Sequence, residues 1–371
     1  MPRKLKLLLL ALALGAPVCA TPAAARQDTP TQQTASADEE LARAKGMLAR
    51  GETAAAVASL KPLAERRKTD ADAWYYLGFA LASAGNPKEG RKAFERALKL
   101  RPDSAQARAG LAYALLLLYK PRDAESEAQR ALASEPRQAE AHYVLAATRF
   151  REDKFSEALA EAESALSANP DFPSATRLAA DALLNAYFEE VSRQAKLYPT
   201  GPDVGQDEFK LMMEKREPAL SPFRLRMREL AERLDAFAAA RPNDPQAASW
   251  RELAETLRIS GRSPGQRAPG DIYPSSEVTT RAIITYKPEP GFTEKARSQN
   301  TSGVVRLRVV LGSDGLVRNI VAIKRLPNGL TERAIEAARK IRFTPATLQG
   351  RPVSQAVVLE YNFEVFTRWA R

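Results

Sequence analysis

Apolar residues between about 38 and 175 recur with a period of 34 residues, which is clearest at Pro102, Pro136 and Pro170. Four further sets of residues recur at the same 34-residue spacing: Leu77, Leu111 and Leu145; Gly78, Ala112 and Ala146; Gly90, Ala124 and Ala158; Ala97, Ala131 and Ala165. Large apolar residues recur where helices interlock, and small ones recur where helices cross closely. The pattern therefore predicts a stacked array of helix pairs.

The repeating units resemble tetratricopeptide repeats. They comprise a degenerate unit at 37–70 and clear units at 71–104, 105–138 and 139–172. The degenerate unit keeps Ala44, Ala56, Leu60 and Leu63. The units depart from the family at its tryptophan column, which holds Trp74, Arg108 and His142. The resemblance implies a curved solenoid over 38–175, with a concave groove lined by the first helix of each pair.

Six side chains are expected to face this groove on the family's register: Tyr75, Phe79, Tyr113, Leu116, Tyr143 and Phe150. One interpretation is an aromatic groove that binds a peptide of a second protein. The alternative is that these side chains pack between repeats or are covered by the segment that follows, because an aromatic stripe at helical spacing is often ordinary core. The residues alone leave both interpretations open.

The chain from 176 to 259 stays helical but leaves the 34-residue period. Ser221 followed by Pro222 forms a helix-start signal, and an apolar stripe then runs from Phe223 to Phe237. These helices are expected to cap the last repeat, which would otherwise expose apolar surface. Residues 260–278 are rich in Pro, Gly and Ser and are interpreted as a linker.

The apolar pattern changes to a period of two in the domain predicted at 279–371. The predicted elements are a strand at 304–311, a turn at 312–315, a strand at 316–324, a helix at 330–341 and a long final strand at 353–366. The second strand loses its alternation near Asn319, which predicts a β-bulge.

This order resembles the C-terminal domain of TonB. The matching motifs are Pro290–Arg297, Gly303–Arg308, Asp314–Val317, Ala334–Ala338, Arg342–Pro345 and Glu360–Phe363. The resemblance implies a small α+β domain, with an antiparallel three-stranded sheet and two helices, after the all-α solenoid. It also implies an exposed final strand that accepts an extended peptide by β-augmentation. The residues expected to bind that partner are Val357, Val358, Leu359, Glu360, Tyr361 and Asn362.

Two departures from TonB limit what this resemblance implies. TonB carries a membrane-spanning N-terminal helix with polar residues, and a long Pro-rich spacer follows it. Here the N-terminal apolar run is short, and a helical solenoid takes the place of the spacer. A binding module is therefore expected, and energy transduction stays an open alternative.

The N-terminus, from Met1 to about Ala20, has the basic start and short Leu/Ala run of a secretory signal peptide. Residues 21–37 hold almost no bulky apolar side chain and are interpreted as a disordered leader. The expected location is the periplasm of a Gram-negative bacterium. The alternative is an uncleaved signal that anchors the chain in the inner membrane, facing the periplasm.

The formal net charge of +11 is unevenly placed. Residues 280–371 hold 16 Lys and Arg against 7 Asp and Glu, a net charge of +9. Arg3, Lys4 and Lys6 of the predicted signal add +3, so residues 7–279 sum to −1. Because the basicity belongs to one domain and to an export signal, nucleic acid is not expected as a partner.

Few residues suit catalysis or metal binding. Cys19 and His142 are the only cysteine and histidine, and Cys19 lies within the predicted signal. A metal site, a cofactor and a catalytic residue are therefore not expected. His142 is expected to have a packing or surface role.

The expected function is that of a periplasmic adaptor between proteins. Its C-terminal domain would bind an envelope protein, for example a TonB-dependent outer-membrane transporter, and its repeats would bind a second protein. The same residues are also compatible with a second function, a scaffold for envelope assembly that binds no transporter. An enzyme is the third alternative. A homodimer formed through the exposed sheet edge is left open.

Overall fold

The computed structural model describes residues 30–199, 205–242, 244, 246–262, 272–273, 275 and 278–364, with side chains from residue 38 onward except at 206. These residues form a helical solenoid followed by a strand-rich domain. The predicted signal peptide and the two last residues of the predicted final strand lie outside them. None of the described helices combines the length and the apolar character that a membrane crossing requires.

The first eight helices form four consecutive pairs. They are α1 (Pro30–Ala49) with α2 (Thr53–Arg66), α3 (Ala71–Ser83) with α4 (Pro87–Leu100), α5 (Ala105–Leu117) with α6 (Pro121–Ser134), and α7 (Ala139–Arg151) with α8 (Phe155–Ala168). Each pair coincides with one unit of the 34-residue period, so the predicted tetratricopeptide solenoid is confirmed.

Helix α1 begins earlier than the sequence pattern predicts. It starts at Pro30, whereas residues 21–37 are interpreted as a disordered leader. The predicted leader therefore extends too far toward the C-terminus. Proline is favoured at the first helical position, and the Gln, Ala and Glu residues that follow are good helix formers. Propensity can therefore extend a helix where few apolar side chains are available for packing.

Short polar signals set the helix boundaries. The Asp70 carboxylate accepts hydrogen bonds from the backbone N–H groups of Asp72 and Ala73, which caps α3. The Ser104 hydroxyl accepts a bond from the N–H of Ala107 at 3.1 Å and caps α5. The recurring prolines Pro102, Pro136 and Pro170 of the period lie in the links between pairs, where no helical N–H is needed.

The repeats pack through small residues at helix crossings. Phe94 of α4 is fully buried, and its ring lies against Gly78 of α3 and Gly110 of α5, where a Cβ atom would overlap it. Gly90 likewise lies close to the carbonyl oxygen of Gly78. The aligned Ala97, Ala131 and Ala165 are all fully buried. Small columns in the sequence therefore mark the sites where helices approach most closely.

Ala131→Leu should destabilise the array. Ala131 is fully buried in the cluster that joins α5, α6 and α7, so a leucine there overpacks the contact by about 1–3 kcal/mol. Chemical denaturation followed by circular dichroism measures the change. Ala84→Leu, at the end of α3 where the residue keeps partial exposure, is a control with a smaller expected effect. An unchanged midpoint for Ala131→Leu would show that the inferred repeat register is wrong.

Three further helices follow the repeats: α9 (Pro173–Leu197), α10 (Gln206–Ala240) and α11 (Ala247–Ser260). They extend the core of the last repeat through the buried Met227, Leu234 and Trp250. The start signal predicted at Ser221 and Pro222 is wrong, because α10 continues through Pro218 and Pro222. Packing of α10 against both α9 and α11 offsets the loss of proline N–H donors.

The described residues of the C-terminal domain form two short helices and seven strands. In chain order they are β1 (Ile272–Tyr273), β2 (Ile283–Tyr286), α12 (Glu294–Ser298), β3 (Gly303–Leu311), β4 (Val317–Lys324), α13 (Leu330–Ala338), β5 (Arg342–Thr344), β6 (Ala346–Leu348) and β7 (Arg351–Phe363). The order in the main sheet is β1, β7, β3 and β4. The predicted antiparallel sheet of β7, β3 and β4 is present, with two helices.

The sheet carries additions that the pattern did not predict. Strand β1, from the segment interpreted as a linker, pairs in parallel with β7, and β6 pairs with the start of β7. Strands β2 and β5 form a separate antiparallel pair. These strands are two to four residues long, too short for a period of two to distinguish them from loop. The β-bulge predicted near Asn319 is confirmed by a register shift and by the positive φ of that residue.

The domain has its own apolar core on one face of the sheet. Val305, Leu307 and Val309 of β3 pack with Leu359 and Tyr361 of β7 against α12 and α13. The alternation predicted for the final strand is present, because odd-numbered residues from Leu359 onward are buried and even-numbered ones are exposed. The opposite face of the sheet is therefore free to contact other parts of the chain.

Candidate functional site

The direction of the backbone groups in β3 follows from the hairpin that joins it to β4. The N–H of Gly312 donates to the carbonyl oxygen of Leu316 at 2.9 Å. Backbone groups alternate in direction along a strand, so even-numbered residues of β3 direct theirs toward β4. Odd-numbered residues of β3 consequently direct their N–H and C=O groups toward β7.

The antiparallel register carries this assignment across to β7. Leu307 lies opposite Leu359, and Val305 lies opposite Tyr361. Odd-numbered residues of β7 therefore bond to β3, and even-numbered residues direct their backbone groups to the other side. Those beyond the residues paired with β1 are Ala356, Val358, Glu360 and Asn362, and the last three lie furthest from β1.

On this side another strand meets β7 only near its beginning, where β1 pairs with residues 354–355. Strand β6 pairs with residues 351–353. Within the described part of the chain, no strand pairs with residues 356–363 on the side away from β3. We call residues 356–362 the open edge. It spans about 20 Å at ~3.3 Å per residue, which is room for a short extended segment.

The six predicted partner-binding residues divide into two sets. Val358, Glu360 and Asn362 present backbone groups and exposed side chains, and Val358 is 56% exposed. Val357, Leu359 and Tyr361 contribute to the core and bond to β3. The sequence pattern locates the strand, but only the register shows which half of its backbone a partner can reach.

Lys287 contacts the open edge. Its Nζ donates to the carbonyl oxygen of Glu360 at 2.5 Å and lies 4.5 Å from the ring centre of Tyr361. The bond agrees with the outward direction assigned to Glu360. Burial raises the pKa of Tyr361 to about 12, with a smaller contribution from Glu289, so this phenol stays neutral. The Glu360 carboxylate is held across the strands by Arg306 Nε at 2.6 Å.

The opposite edge of the sheet lies against the solenoid. Strand β4 packs on α9 and α11, and Val321 joins the apolar core of those helices. The amide of Asn319, in the bulge, donates to the hydroxyl of Thr256 at 2.9 Å, and both side chains are buried. The bulge thus turns a polar side chain toward α11. The only sequence signal for this contact is the broken alternation at Asn319.

Cations of the C-terminal domain lie over aromatic rings of the solenoid. The contacts are Arg308 over Phe188 (4.9 Å), Arg325 over Phe150 (4.6 Å) and Lys295 over Tyr119 (3.8 Å). Arg339 also pairs with Glu252 of α11 at 3.1 Å. The basic excess of the domain therefore serves, in part, its docking on the solenoid.

Acidic side chains of the solenoid complement Arg325. Burial raises the pKa of the Asp153 and Asp181 carboxyls, and the nearby Arg325 guanidinium opposes that rise. Arg308 is more deeply enclosed, and burial lowers the pKa of its guanidinium. The charge of Arg325 thus offsets part of the desolvation penalty of these two carboxylates. Apolar, polar and charged contacts thus hold the two domains together.

Val321→Asp should separate the two domains. The change places a carboxylate in the apolar core formed with α9 and α11, where its desolvation is unfavourable. The domain's own core lies on the other face of the sheet, so the domain should stay folded. Small-angle scattering should show a larger radius of gyration, whereas Leu316→Asp, at the exposed β3–β4 turn, should leave it unchanged. Identical scattering for both variants would contradict this docking interface.

The predicted groove residues have different environments. Phe79, Tyr113 and Tyr143 are partly exposed and form a ladder that continues to Phe172, with ring centres 6.2, 6.1 and 5.2 Å apart. Tyr75 and Leu116 are buried. Phe150 is buried and covered by Arg325. Three of the six side chains are thus buried in the packing of the repeats or covered by another residue, and the other three stay partly exposed.

The aromatic ladder lies in poorly hydrated surroundings. Burial raises the pKa of Tyr143 to about 12, and the pKa of Tyr113 also rises for that reason. The nearby Glu140 carboxyl has a raised pKa from burial as well. A surface of neutral phenols with little hydration suits aromatic or apolar side chains of a peptide.

His142 has structural contacts. Its Nδ1 lies 2.7 Å from a Glu161 carboxylate oxygen, and its Nε2 lies 3.0 Å from the carbonyl oxygen of Pro136. The ring therefore ties α7 to α8 and to the preceding link. Among the described residues, no group of three or more His, Cys, Asp and Glu side chains has the arrangement of a metal site.

Comparison with protein families gives three matches. Residues 71–104 and 120–170 match models of the tetratricopeptide repeat, and residues 288–365 match the model of the Gram-negative bacterial TonB protein C-terminal domain. The chain combines tetratricopeptide repeats with a TonB C-terminal domain. Both kinds of domain are modules for protein interaction. The TonB C-terminal match includes the open edge and Lys287's neighbour Pro288 but begins after Lys287 itself.

Solved structures with similar folds share little sequence with this chain. A tetratricopeptide protein of Thermus thermophilus is 18% identical, with a TM-score of 0.38, and the match covers 48% of this chain and 97% of that one. MamA from Desulfovibrio magneticus is 20% identical, with a TM-score of 0.32, covering 49% and 96% respectively. Values this low carry no argument about function. A comparison with curated proteins found no match.

Proposed function

We propose that this protein is an adaptor that binds an extended segment of a partner protein at the open edge of β7. The observation that carries the proposal is the row of backbone groups on Val358, Glu360 and Asn362, which face away from β3. An added strand would pair with them, so the backbone would supply affinity and alternate side chains would supply selectivity. Strand addition requires no catalytic group, and we propose a non-enzymatic function.

The solenoid supplies a second binding surface in this proposal. The partly exposed Phe79, Tyr113 and Tyr143 form its aromatic ladder. Because the C-terminal domain docks on α9 and α11, a strand held at β7 and a protein held by the repeats would keep a fixed relative position. This supports an adaptor that joins two proteins.

The proposed location is the periplasm of a Gram-negative bacterium. The basic, Leu/Ala-rich N-terminus supports export, and the description of the matching C-terminal family supports a Gram-negative envelope. N-terminal sequencing of protein from cell fractions tests this. A mature start near Thr21 in the periplasmic fraction supports it, whereas a full-length chain in the inner membrane supports an anchored protein.

The proposed partner at β7 is an outer-membrane transporter of the TonB-dependent class. The resemblance of residues 288–365 to the TonB C-terminal domain supports that class. The solenoid, which replaces TonB's spacer, favours the second candidate function, an envelope scaffold without a transporter. Energy transduction is not required by either function.

Site-specific photo-crosslinking in intact cells tests strand addition. A photoreactive residue at position 358 should cross-link to one extended segment of one partner, because Val358 faces the open edge. The matched control places the probe at Leu316, which is similarly exposed but lies in the β3–β4 turn. Cross-links to the same segment from both positions would contradict binding at the edge.

A further inference from the structure

The ammonium group of Lys287 occupies the place of an incoming backbone donor. The carbonyl oxygen of Glu360 is one of the outward acceptors of the open edge, and Lys287 Nζ donates to it at 2.5 Å. An added strand would offer its own N–H to that oxygen. The lysine must therefore move before a partner strand can complete its ladder.

The segment around Lys287 cannot itself become that strand. Pro288 and Pro290 lack backbone N–H groups, so the chain here cannot form a regular ladder with β7. The cover is a side chain, and Lys287 is exposed. Swinging it away breaks one hydrogen bond and one ring contact and leaves the apolar core unchanged.

We propose that the Lys287 side chain controls which strands pair with the open edge. It prevents pairing with a second copy of this chain, and it is displaced by a partner strand that carries no cation at that place. This proposal rests on the proposed strand addition. A lysine beside an exposed edge is a known means of preventing edge-to-edge pairing.

The geometry of self-pairing brings two lysines together. Two identical edges pair about a two-fold axis, and full overlap of residues 356–362 places that axis beside residue 359. Glu360 lies next to it in both copies, so the two Lys287 ammonium groups would approach each other near the axis as the edges meet. Like charges so placed oppose association, and no carboxylate among the described residues pairs with Lys287 to relieve this.

Sedimentation velocity of the full chain tests whether Lys287 prevents self-association through the open edge. Lys287→Met keeps the aliphatic stem and removes the charge and the donor, so it should self-associate at least about tenfold more tightly than the wild type. Lys287→Glu keeps a like-charge repulsion and should stay monomeric alone, but its mixture with the wild type should associate. Lys340→Met, an exposed lysine just after α13, is the control and should behave like the wild type.

Two results would overturn the proposal. One is a Lys287→Met chain as monomeric as the wild type, and the other is a wild-type chain that already pairs through this edge. Amide hydrogen exchange distinguishes failure of this role for Lys287 from failure of the proposed strand addition. If the amides of Val358, Glu360 and Asn362 in the monomer are as protected as that of Leu359, the edge is closed. Strand addition then fails whatever Lys287 does.

Discussion

Val358→Pro should weaken binding of the partner at β7 roughly 5- to 150-fold, because it leaves a partner acceptor unpaired at a cost of about 1–3 kcal/mol. The N–H that proline removes points to the open side and takes no part in the β3–β7 ladder. The domain should therefore keep its fold, as edge strands tolerate proline at such positions. The affinity for the protein that cross-links at position 358 is the quantity to measure.

Two matched variants separate loss of binding from loss of structure. Val358→Ala keeps the N–H and should bind like the wild type. Leu359→Pro, one residue further, removes a bond to β3 and a buried side chain, so it should unfold the domain by circular dichroism. A folded Val358→Pro chain that binds at wild-type affinity would show that the partner does not add to this edge. Glu360→Gln, which changes only a side chain, should alter binding little.

Phe94→Ala should destabilise the solenoid by about 3–5 kcal/mol, the usual cost of removing a fully buried phenylalanine. The ring fills the space between Gly78 and Gly110, neither of which has a side chain that could close the cavity. The loss therefore affects the packing of α3 on α4 within the second unit and the interface of that unit with the next one. Urea denaturation followed by far-ultraviolet circular dichroism measures it.

Phe209→Ala is the control for that measurement. Phe209 lies in α10 and is 48% exposed, so its removal should change stability by no more than about 0.5 kcal/mol. Equal effects of the two substitutions would mean that Phe94 does not join the repeats as the structure shows. The comparison tests packing between repeats separately from any property of the C-terminal domain.

The period of the repeats predicts the solenoid closely because helix pairs of one length repeat the same contacts. The boundaries of α3 to α8 coincide with the predicted units. The continuous helix through Pro218 and Pro222 was not predictable, because a local start signal is outweighed there by packing against α9 and α11. The short strand β1 was missed for a related reason, since two residues carry no period.

The site was predictable only in part. Alternation in the final strand places Leu359 and Tyr361 in the core and Val358 and Glu360 outside it, as the structure does. The direction of the backbone depends on the β3–β4 hairpin register, which the pattern of side chains does not determine. The contact of Lys287 with Glu360 joins positions 73 residues apart, so no local signal could reveal it.

The docking of the domain on the solenoid was also unpredicted. Two arginines that alternate with apolar residues in β3 have different environments, because Arg308 is enclosed against Phe188 whereas Arg306 pairs with Glu360 in solvent. An arginine that alternates with apolar residues on a strand is equally compatible with solvent and with an aromatic partner elsewhere. Only the tertiary arrangement decides between them.

Amide hydrogen exchange along β7, measured on the chain alone and with the cross-linked partner bound, tests the open edge most directly. In the free chain the amides of Val358, Glu360 and Asn362 should exchange much faster than those of Leu359 and Tyr361. Partner binding should protect the first set and leave the second nearly unchanged. Rapid exchange of the first set in both states, with the partner bound, would contradict strand addition at β7.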